Sequence, residues 1–191
     1  AGSNLQRSFM TYNPDIHNRK SIRLKNYDYS QEGLYFITIY TKNRENLFGE
    51  IVGAGFSRPN DDLLNDIKEN EIILNKIGMV IKEEYINLKN KYKNIKCHEY
   101  VVMPNHFHCL IEIINQQEGG KTPPLPEIIG YFKFQTTKKY NEMLEIKNER
   151  FLSLWQRNYY ENIIRNEKRY LQVIEYIENN PLKWKEDKYY L

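Results

Sequence analysis

The sequence has few cysteines and no long hydrophobic run. Its two cysteines, Cys97 and Cys109, do not make the disulfide framework of a small secreted domain, so a reducing cytoplasm is the expected location. No apolar run approaches the roughly 20 residues needed to cross a bilayer, and the beginning lacks the apolar core of a signal peptide. We therefore expect no membrane partner.

A strong excess of one charge is also missing. The formal net charge is only +3, which alone does not indicate a nucleic-acid partner. The distribution is more informative, because "HNRKSIRLKNY" (17–27) contains four cations and no acid. One interpretation is a basic arm that contacts a polyanion, and the other is a solvated tail. The four cations are Arg19, Lys20, Arg23 and Lys25.

Length and composition favour one soluble domain. The 191 residues are 40% hydrophobic and 28% charged, which is typical of a globular chain with one substantial core. The leading "AGS" is interpreted as the remnant of an expression tag. Residues 1–18 are then an N-terminal tail, and residues 19–191 form a single domain.

Hydrophobic periodicity divides the chain into strands and helices. Strands are predicted at 34–42, 95–104, 106–115 and 151–165, a short strand and then a loop within 49–66, and helices at about 71–92, 125–144 and 166–181. The main order is strand, helix, strand, strand, helix, strand, helix. This order predicts an α+β domain with a mainly antiparallel, ferredoxin-like or RRM-like sheet and helices packed on it.

The run "YVVMPNHFHCLIEI" (100–113) places two histidines in an otherwise apolar strand. Alternate residues of a strand face opposite sides, and the odd-numbered residues from 107 to 113 are all apolar. His106 and His108 are therefore expected to share the face away from the core, so that alanine at either position should leave the fold intact. Two such imidazoles can bind one divalent cation if a third ligand comes from elsewhere. The alternative is a pair of half-exposed histidines with no shared role.

The last predicted helix carries a second candidate pair. Tyr176 and Asn180 are four residues apart, so they share a face that is rotated about 120° from the centre of the apolar stripe. They could supply a nucleophile and an amide ligand for a metal. Most of the sixteen tyrosines are expected to serve packing. The apolar stripe is predicted at Tyr170, Leu171, Ile174 and Ile177, and the tyrosines interpreted as packing residues are Tyr159, Tyr160 and Tyr170.

Taken together, these motifs resemble a known family. "VVMPNHFHCLIEI" (101–113) resembles the histidine motif of the HUH endonucleases in the form used by single-tyrosine transposases. "LWQRNYYENIIRNEKRYLQVIEYIENNP" (154–181) is similar to the carboxy-terminal signature of the REP-associated tyrosine transposases, relatives of the smallest insertion-sequence transposases. "SIRLKNYDYSQEGLYFITIYTKNRENLFGEI" (21–51) also looks like the opening of that family.

The resemblance implies the HUH endonuclease fold and a particular reaction. By position in the motifs, His106 and His108 would be metal ligands, Asn180 the third, amide-type ligand, and Tyr176 the nucleophile. The enzyme would cleave single-stranded DNA at or near a hairpin and form a covalent 5′-phosphotyrosine intermediate with a divalent ion, magnesium or manganese. It could act as a monomer with its tyrosine in cis or as a homodimer with the tyrosine in trans.

Single-stranded or hairpin DNA would need cations that contact its backbone and aromatic surfaces on which bases stack, and the candidate cations include others besides the basic arm. Each of these is also open to interpretation as a solvated surface residue. The candidates lie on the second helix and near the catalytic end of the chain: Lys133, Lys138, Lys139, Arg157 and Arg165.

Two other functions remain open from the residues alone. One is a non-catalytic module of RRM-like fold that holds hairpin DNA or RNA, although such a module has no physical need for all four candidate site residues. The other is a metal-dependent phosphoesterase of small molecules. Against it, the sequence has no glycine-rich phosphate cradle and no second cluster of ligands for a two-metal site.

Overall fold

The computed structural model describes residues 23, 24, 26–52, 71–114, 123–146 and 151–184, and all structural statements refer to these. The elements in chain order are β1 (Gly33–Tyr40), β2 (Gly49–Val52), β3 (Glu71–Leu74), α1 (Lys76–Lys91), β4 (Ile95–Met103), β5 (His106–Ile113), α2 (Leu125–Met143), β6 (Tyr160–Ile164) and α3 (Glu167–Asn179). A four-stranded antiparallel sheet has the order β4-β5-β1-β6. The predicted α+β class with a mainly antiparallel sheet is confirmed.

The main core lies on one face of this sheet. The odd-numbered residues of β1 and β5 point to this face, because side chains alternate along a strand, and α1 and α2 cover them. Phe107, for example, is fully buried and packs against Phe132 of α2, with ring centroids 5.3 Å apart. β5 is an inner strand, so both of its edges are paired, and most of its residues are buried because elements pack on both faces of the sheet.

The opposite face of the sheet is covered by α3. Val173 and Ile177, which are four residues apart and so lie on one side of this helix, pack on Leu110 and Ile164 in a smaller core. The prediction that Leu171 belongs to the apolar stripe is wrong: its side chain is 56% exposed, because the helix is turned so that Val173 faces the sheet. Tyr170 and Ile174, which are also four residues apart, are partly buried and pack against this smaller core.

The start of α1 differs from the prediction. Residues 71–74 form β3, which pairs with β2 from Gly49 opposite Leu74 to Val52 opposite Glu71. The helix starts only after Asn75, whose side-chain oxygen accepts hydrogen bonds from the backbone N–H groups of Ile77 and Gly78. Apolar spacing alone does not separate such a strand from the first turn of a helix.

The predicted strand at 151–165 is shorter in the structure. Only Tyr160–Ile164 pairs with β1, and Trp155 forms one isolated bridge with Thr41. None of the helices in the described ranges is both long and apolar enough to cross a bilayer.

Candidate active site

The two histidines lie at the start of β5, directly after the turn at Pro104 and Asn105. Their rings are 4.5 Å apart between centroids, and they face the side of the sheet that α3 covers. His106 is 0% exposed and His108 is 2% exposed. The predicted face is therefore correct, but the expectation that alanine there leaves the fold untouched is not supported, because each change would open a buried cavity.

Hydrogen bonds orient both imidazoles. Nδ1 of His106 lies 2.8 Å from Oδ1 of Asn105, and Nδ1 of His108 lies 2.8 Å from the hydroxyl of Thr38. A carbonyl oxygen only accepts, so Nδ1 of His106 carries the proton and Nε2 keeps a lone pair. Contacts of this type fix the orientation and tautomer of metal-binding histidines.

Burial keeps both histidines neutral at neutral pH. Loss of hydration lowers the pKa of His106 to about 4, an effect that the side-chain amide of Asn180 opposes and the positive charge of Arg44 increases. Burial likewise holds the pKa of His108 well below its usual range, with a further contribution from His106. A neutral imidazole has the lone pair that a metal ion needs.

Tyr176 reaches the same place from α3. Its hydroxyl lies 3.3 Å from Nε2 of His108, and its ring packs edge-on against Phe36. The side chain is 45% exposed, so the phenol touches a buried imidazole and is also accessible from solvent. The tyrosine and the histidines of a single chain therefore meet.

Asn180 completes the group at the end of α3. It is buried, and Trp184, which follows one turn later, packs beside His106 with ring centroids 5.9 Å apart. While His106 is neutral, Oδ1 of Asn180 and Nε2 of His106 have no hydrogen-bond partner within the described ranges, because both atoms then only accept. Only the protonated imidazole could donate to Asn180, which is why this amide opposes the fall in the pKa of His106. A buried acceptor without a partner costs about 1–3 kcal/mol, so two of them in one place indicate a site for a ligand.

These donors fit a divalent cation. The part of the chain that the structure describes has no cluster of three His, Cys, Asp or Glu side chains that could hold a metal. A cation at this place would therefore need the amide oxygen of Asn180 as well as Nε2 of His106 and His108. Two imidazole nitrogens and one oxygen can hold a divalent metal ion, and they leave positions for water or a phosphate oxygen.

The predicted cations of α2 are not near these residues, because α2 packs on the other face of the sheet. The ammonium group of Lys133 donates to the backbone carbonyls of Gln156 and Arg157, at 2.6 and 2.8 Å, and burial lowers its pKa to about 8. Lys133 therefore has a structural contact, and its role in DNA binding stays a prediction. Lys139 forms an ion pair with Glu84 at 2.6 Å, while the ammonium of Lys138 is 3.8 Å from a carboxylate of its own helix.

The other predicted cations are spread over the molecule. Arg157 and Arg165 are exposed, and Arg23 lies over the ring of Tyr159, 5.0 Å from its centroid. A role of these three in DNA binding stays a prediction. The remaining residues of the basic arm, Arg19, Lys20 and Lys25, lie outside the described residues.

Two residues near the site are missed by sequence reasoning. Arg44 follows β1, and it is close enough to His106 to lower the pKa of that imidazole. Tyr160 is interpreted from the sequence as a packing residue, but its side chain is 54% exposed. The pairing of β1 with β5 and β6 would place both residues near the site, because it sets Tyr40 opposite His106 and Thr38 opposite Tyr160.

Comparisons with known proteins give consistent matches. The family described as "Transposase IS200 like" matches residues 66–180. An uncharacterized protein of Haemophilus influenzae is 38% identical over 196 residues, which are 94% of this chain and 97% of that protein. The structure of a REP-associated tyrosine transposase bound to a REP hairpin matches with a TM-score of 0.52 and 20% identity, over 86% of this chain and 74% of that one. A putative transposase from Deinococcus radiodurans matches with a TM-score of 0.44 and 16% identity, over 83% of this chain and 97% of that one.

Proposed function

Since this chain belongs to the family of IS200-like transposases, we propose that it cuts and rejoins single-stranded DNA through a covalent bond to Tyr176. Membership confirms the resemblance that "PNHFH" and "EYIENNP" indicate, and it implies a DNA-processing enzyme with a role in transposition. The HUH endonuclease fold is also confirmed. The nucleophile, the metal and the form of the DNA belong to the proposal.

One observation carries the proposal. The hydroxyl of Tyr176 lies 3.3 Å from His108, next to two buried acceptor atoms that have no partner among the described residues, Nε2 of His106 and Oδ1 of Asn180. A nucleophile and a set of metal ligands with open positions can together carry out phosphodiester cleavage: the first attacks phosphorus, and a bound ion would stabilise the charge on the phosphate. Packing alone would favour apolar side chains at these positions.

The proposed reaction exchanges one phosphodiester for another. The oxygen of Tyr176 attacks phosphorus and forms a new P–O bond, while the bond from phosphorus to the 3′-oxygen of the DNA breaks. The phenol gives up its proton to solvent, and the released 3′-oxygen takes one up. Because no water takes part, the 5′-phosphotyrosine conserves the energy of the phosphodiester bond. A 3′-hydroxyl of the same or another strand can therefore reverse the attack.

We propose His106, His108 and Asn180 as the residues that hold a magnesium or manganese ion. When bound there, the ion would neutralise charge on the scissile phosphate and polarise it as a Lewis acid. Nitrogen ligands favour manganese in affinity, whereas abundance in the cell favours magnesium.

The hydroxyl of Tyr176 and a bound cation would compete for the same nitrogen of His108. In the tautomer whose Nδ1–H donates to the hydroxyl of Thr38, Nε2 of His108 has one lone pair, which can accept the Tyr176 hydroxyl at 3.3 Å. The same lone pair cannot also bind a cation. We therefore expect Tyr176 to give up this hydrogen bond when His108 acts as a ligand, which makes the phenol available for attack.

The proposed substrate is single-stranded or hairpin DNA. The REP-associated tyrosine transposase with the same fold is bound to a REP hairpin, and this supports DNA of that kind for the present chain. The exposed side of Tyr176 gives a strand access to the phenol from solvent.

The test is formation of a covalent adduct. The protein is incubated with labelled single-stranded and hairpin oligonucleotides and manganese, and then run on a denaturing gel. Wild type and Tyr170→Phe, a matched change on the same helix, should give a denaturation-resistant shift. Tyr176→Phe and a chelator should abolish it, while binding of uncut DNA should survive in Tyr176→Phe. Tight DNA binding by wild type without any adduct would instead favour the non-catalytic binding module.

A further inference from the structure

Tyr160 is an exposed aromatic residue on the face of the sheet that carries the histidines. It lies on β6, the edge strand, and pairs with Thr38, whose other neighbour in the register is His108. Its side chain is 54% exposed and belongs to neither hydrophobic core. α3 covers Ile164 at the far end of the same strand but leaves the ring of Tyr160 open.

Arg44 and Tyr40 connect Tyr160 with the histidines. The ring of Tyr160 meets Tyr40 edge-on, with centroids 6.0 Å apart, and Tyr40 lies 5.4 Å from His106. The guanidinium of Arg44 lies over the ring of Tyr40, 5.2 Å from its centroid. Tyr40 therefore links His106 to an exposed aromatic ring, that of Tyr160, and to a cation, that of Arg44.

We propose that Tyr160 and Arg44 form a nucleotide-binding ledge beside the histidines. An unpaired base of the bound strand stacks on the ring of Tyr160, and an adjoining phosphate contacts Arg44. This inference rests on the proposed function, because it names two residues that position the single strand for attack by Tyr176.

The side chains of the ledge are of the kinds that bind single-stranded nucleic acid. Single-stranded nucleic acid is held by aromatic rings on which bases stack and by cations that contact the phosphates, and stacking is largely independent of sequence. Tyr40 is buried, and both the guanidinium of Arg44 and the ring of Tyr160 pack against it, so the cation and the open ring border the same fixed side chain. The ledge is also continuous with the reactive residues, so that one strand can occupy both.

The test of stacking compares two strands of equal length and charge. Affinities for a 20-nucleotide thymidine strand and for an abasic 20-mer are measured by fluorescence anisotropy in a chelator, so that no cleavage occurs. Tyr160→Ala should bind the thymidine strand about tenfold more weakly than wild type, and the abasic strand equally well. Tyr160→Phe keeps the ring and should resemble wild type. Phe134→Ala, which removes a 64% exposed aromatic from α2 on the other side of the sheet, is the matched control and should have no effect.

The test of the phosphate contact uses Arg44→Gln. Its affinity should fall for both strands alike, and the slope of log affinity against log salt concentration should decrease in magnitude by about 0.7, the value for one phosphate contact on a single strand. Lys76→Ala, at the exposed start of α1, removes a cation on the other side of the sheet and should leave the slope unchanged.

The outcomes separate this inference from the proposed function. Two results would refute stacking on Tyr160 without affecting the proposed cleavage reaction. In the first, Tyr160→Ala binds the thymidine strand as tightly as wild type does. In the second, its affinity falls by the same factor for the thymidine strand and the abasic strand. An unchanged salt slope for Arg44→Gln refutes the phosphate contact. If wild type binds neither strand, the ledge and the proposed single-stranded substrate fail together.

Discussion

At the scale of single residues, the burial of His106 makes stability depend on pH. The pKa of this imidazole is about 4 in the folded chain and about 6.5 when unfolded. Between these values the unfolded chain binds more protons, so the free energy of unfolding falls as the pH drops through this range. From pH 7 to pH 5, His106 alone should cost about 2 kcal/mol.

Urea unfolding at pH 7 and pH 5 measures this cost. His108 shifts in the same direction, so wild type should lose at least the amount expected for His106. His106→Gln, which keeps an amide in place of the ring, should lose about 2 kcal/mol less than wild type over the same interval. Equal losses in both proteins would mean that His106 is not buried as a neutral base.

The hydrogen bond between Tyr176 and His108 should compete with metal binding. Tyr176→Phe removes the hydroxyl that occupies Nε2 of His108, and a bond as long as 3.3 Å is at the weak end of the usual range, about 0.5 kcal/mol. The variant should therefore bind manganese about twofold more tightly in titration calorimetry. Tyr170→Phe should bind as wild type does. Weaker binding by Tyr176→Phe would show that the phenol assists the cation instead of competing with it.

The candidate site residues are predictable from motifs, but their environment is not. The positions of His106, His108, Tyr176 and Asn180 follow from strand alternation and helix spacing together with the family resemblance. Their burial depends on how α3 lies across the sheet, which no local pattern specifies. The neighbourhood of Arg44 follows only from the pairing of β1 with β5, a contact between residues about 70 positions apart.

At the scale of elements, α3 positions half of the candidate site. Asn166 caps this helix, since its side-chain oxygen accepts a hydrogen bond from the N–H group of Arg169 at 2.9 Å. Asn75 does the same for α1 on the other side of the sheet. Alanine at either position should lower the free energy of unfolding by about 1 kcal/mol.

The two caps should differ in their local effect. Asn166→Ala should increase amide hydrogen exchange in α3, which Tyr176 and Asn180 depend on, whereas Asn75→Ala should increase it in α1. Adduct formation should accordingly slow in Asn166→Ala more than in Asn75→Ala. Equal slowing by both variants would mean that global stability, not the position of α3, limits the reaction.

The strands and helices that the sequence predicts correctly are those with clear periods. α2, α3, β4 and β5 agree with the predictions to within about two residues at most ends. β3 is wrongly assigned to a helix, because residues 71–74 are held by backbone hydrogen bonds to β2, which lies about 20 positions earlier. Such long-range pairing overrides local propensity and cannot be seen in a window of the sequence.

At the scale of the whole molecule, one chain contains every part of the candidate site. Tyr176 contacts His108 of its own chain, so we expect a monomer to act with its tyrosine in cis. Mixing two inactive variants, Tyr176→Phe and His108→Gln, tests this. With the tyrosine in cis, the mixture should form no adduct at any ratio, because no molecule has both parts. Recovery of adduct on mixing would require exchange of α3 between two chains.

The identity of the nucleophile is the central claim, and mapping the covalent adduct tests it most directly. Wild-type protein is incubated with single-stranded or hairpin DNA and manganese, treated with nuclease and trypsin, and analysed by mass spectrometry. Cleavage after Arg169 and Lys183 releases residues 170–183, which contain two tyrosines, Tyr170 and Tyr176, so fragmentation of this peptide separates the two positions. We predict a nucleotide on Tyr176 alone. A nucleotide on Tyr170 or on any other tyrosine, or cleaved DNA without a modified peptide, would contradict the account.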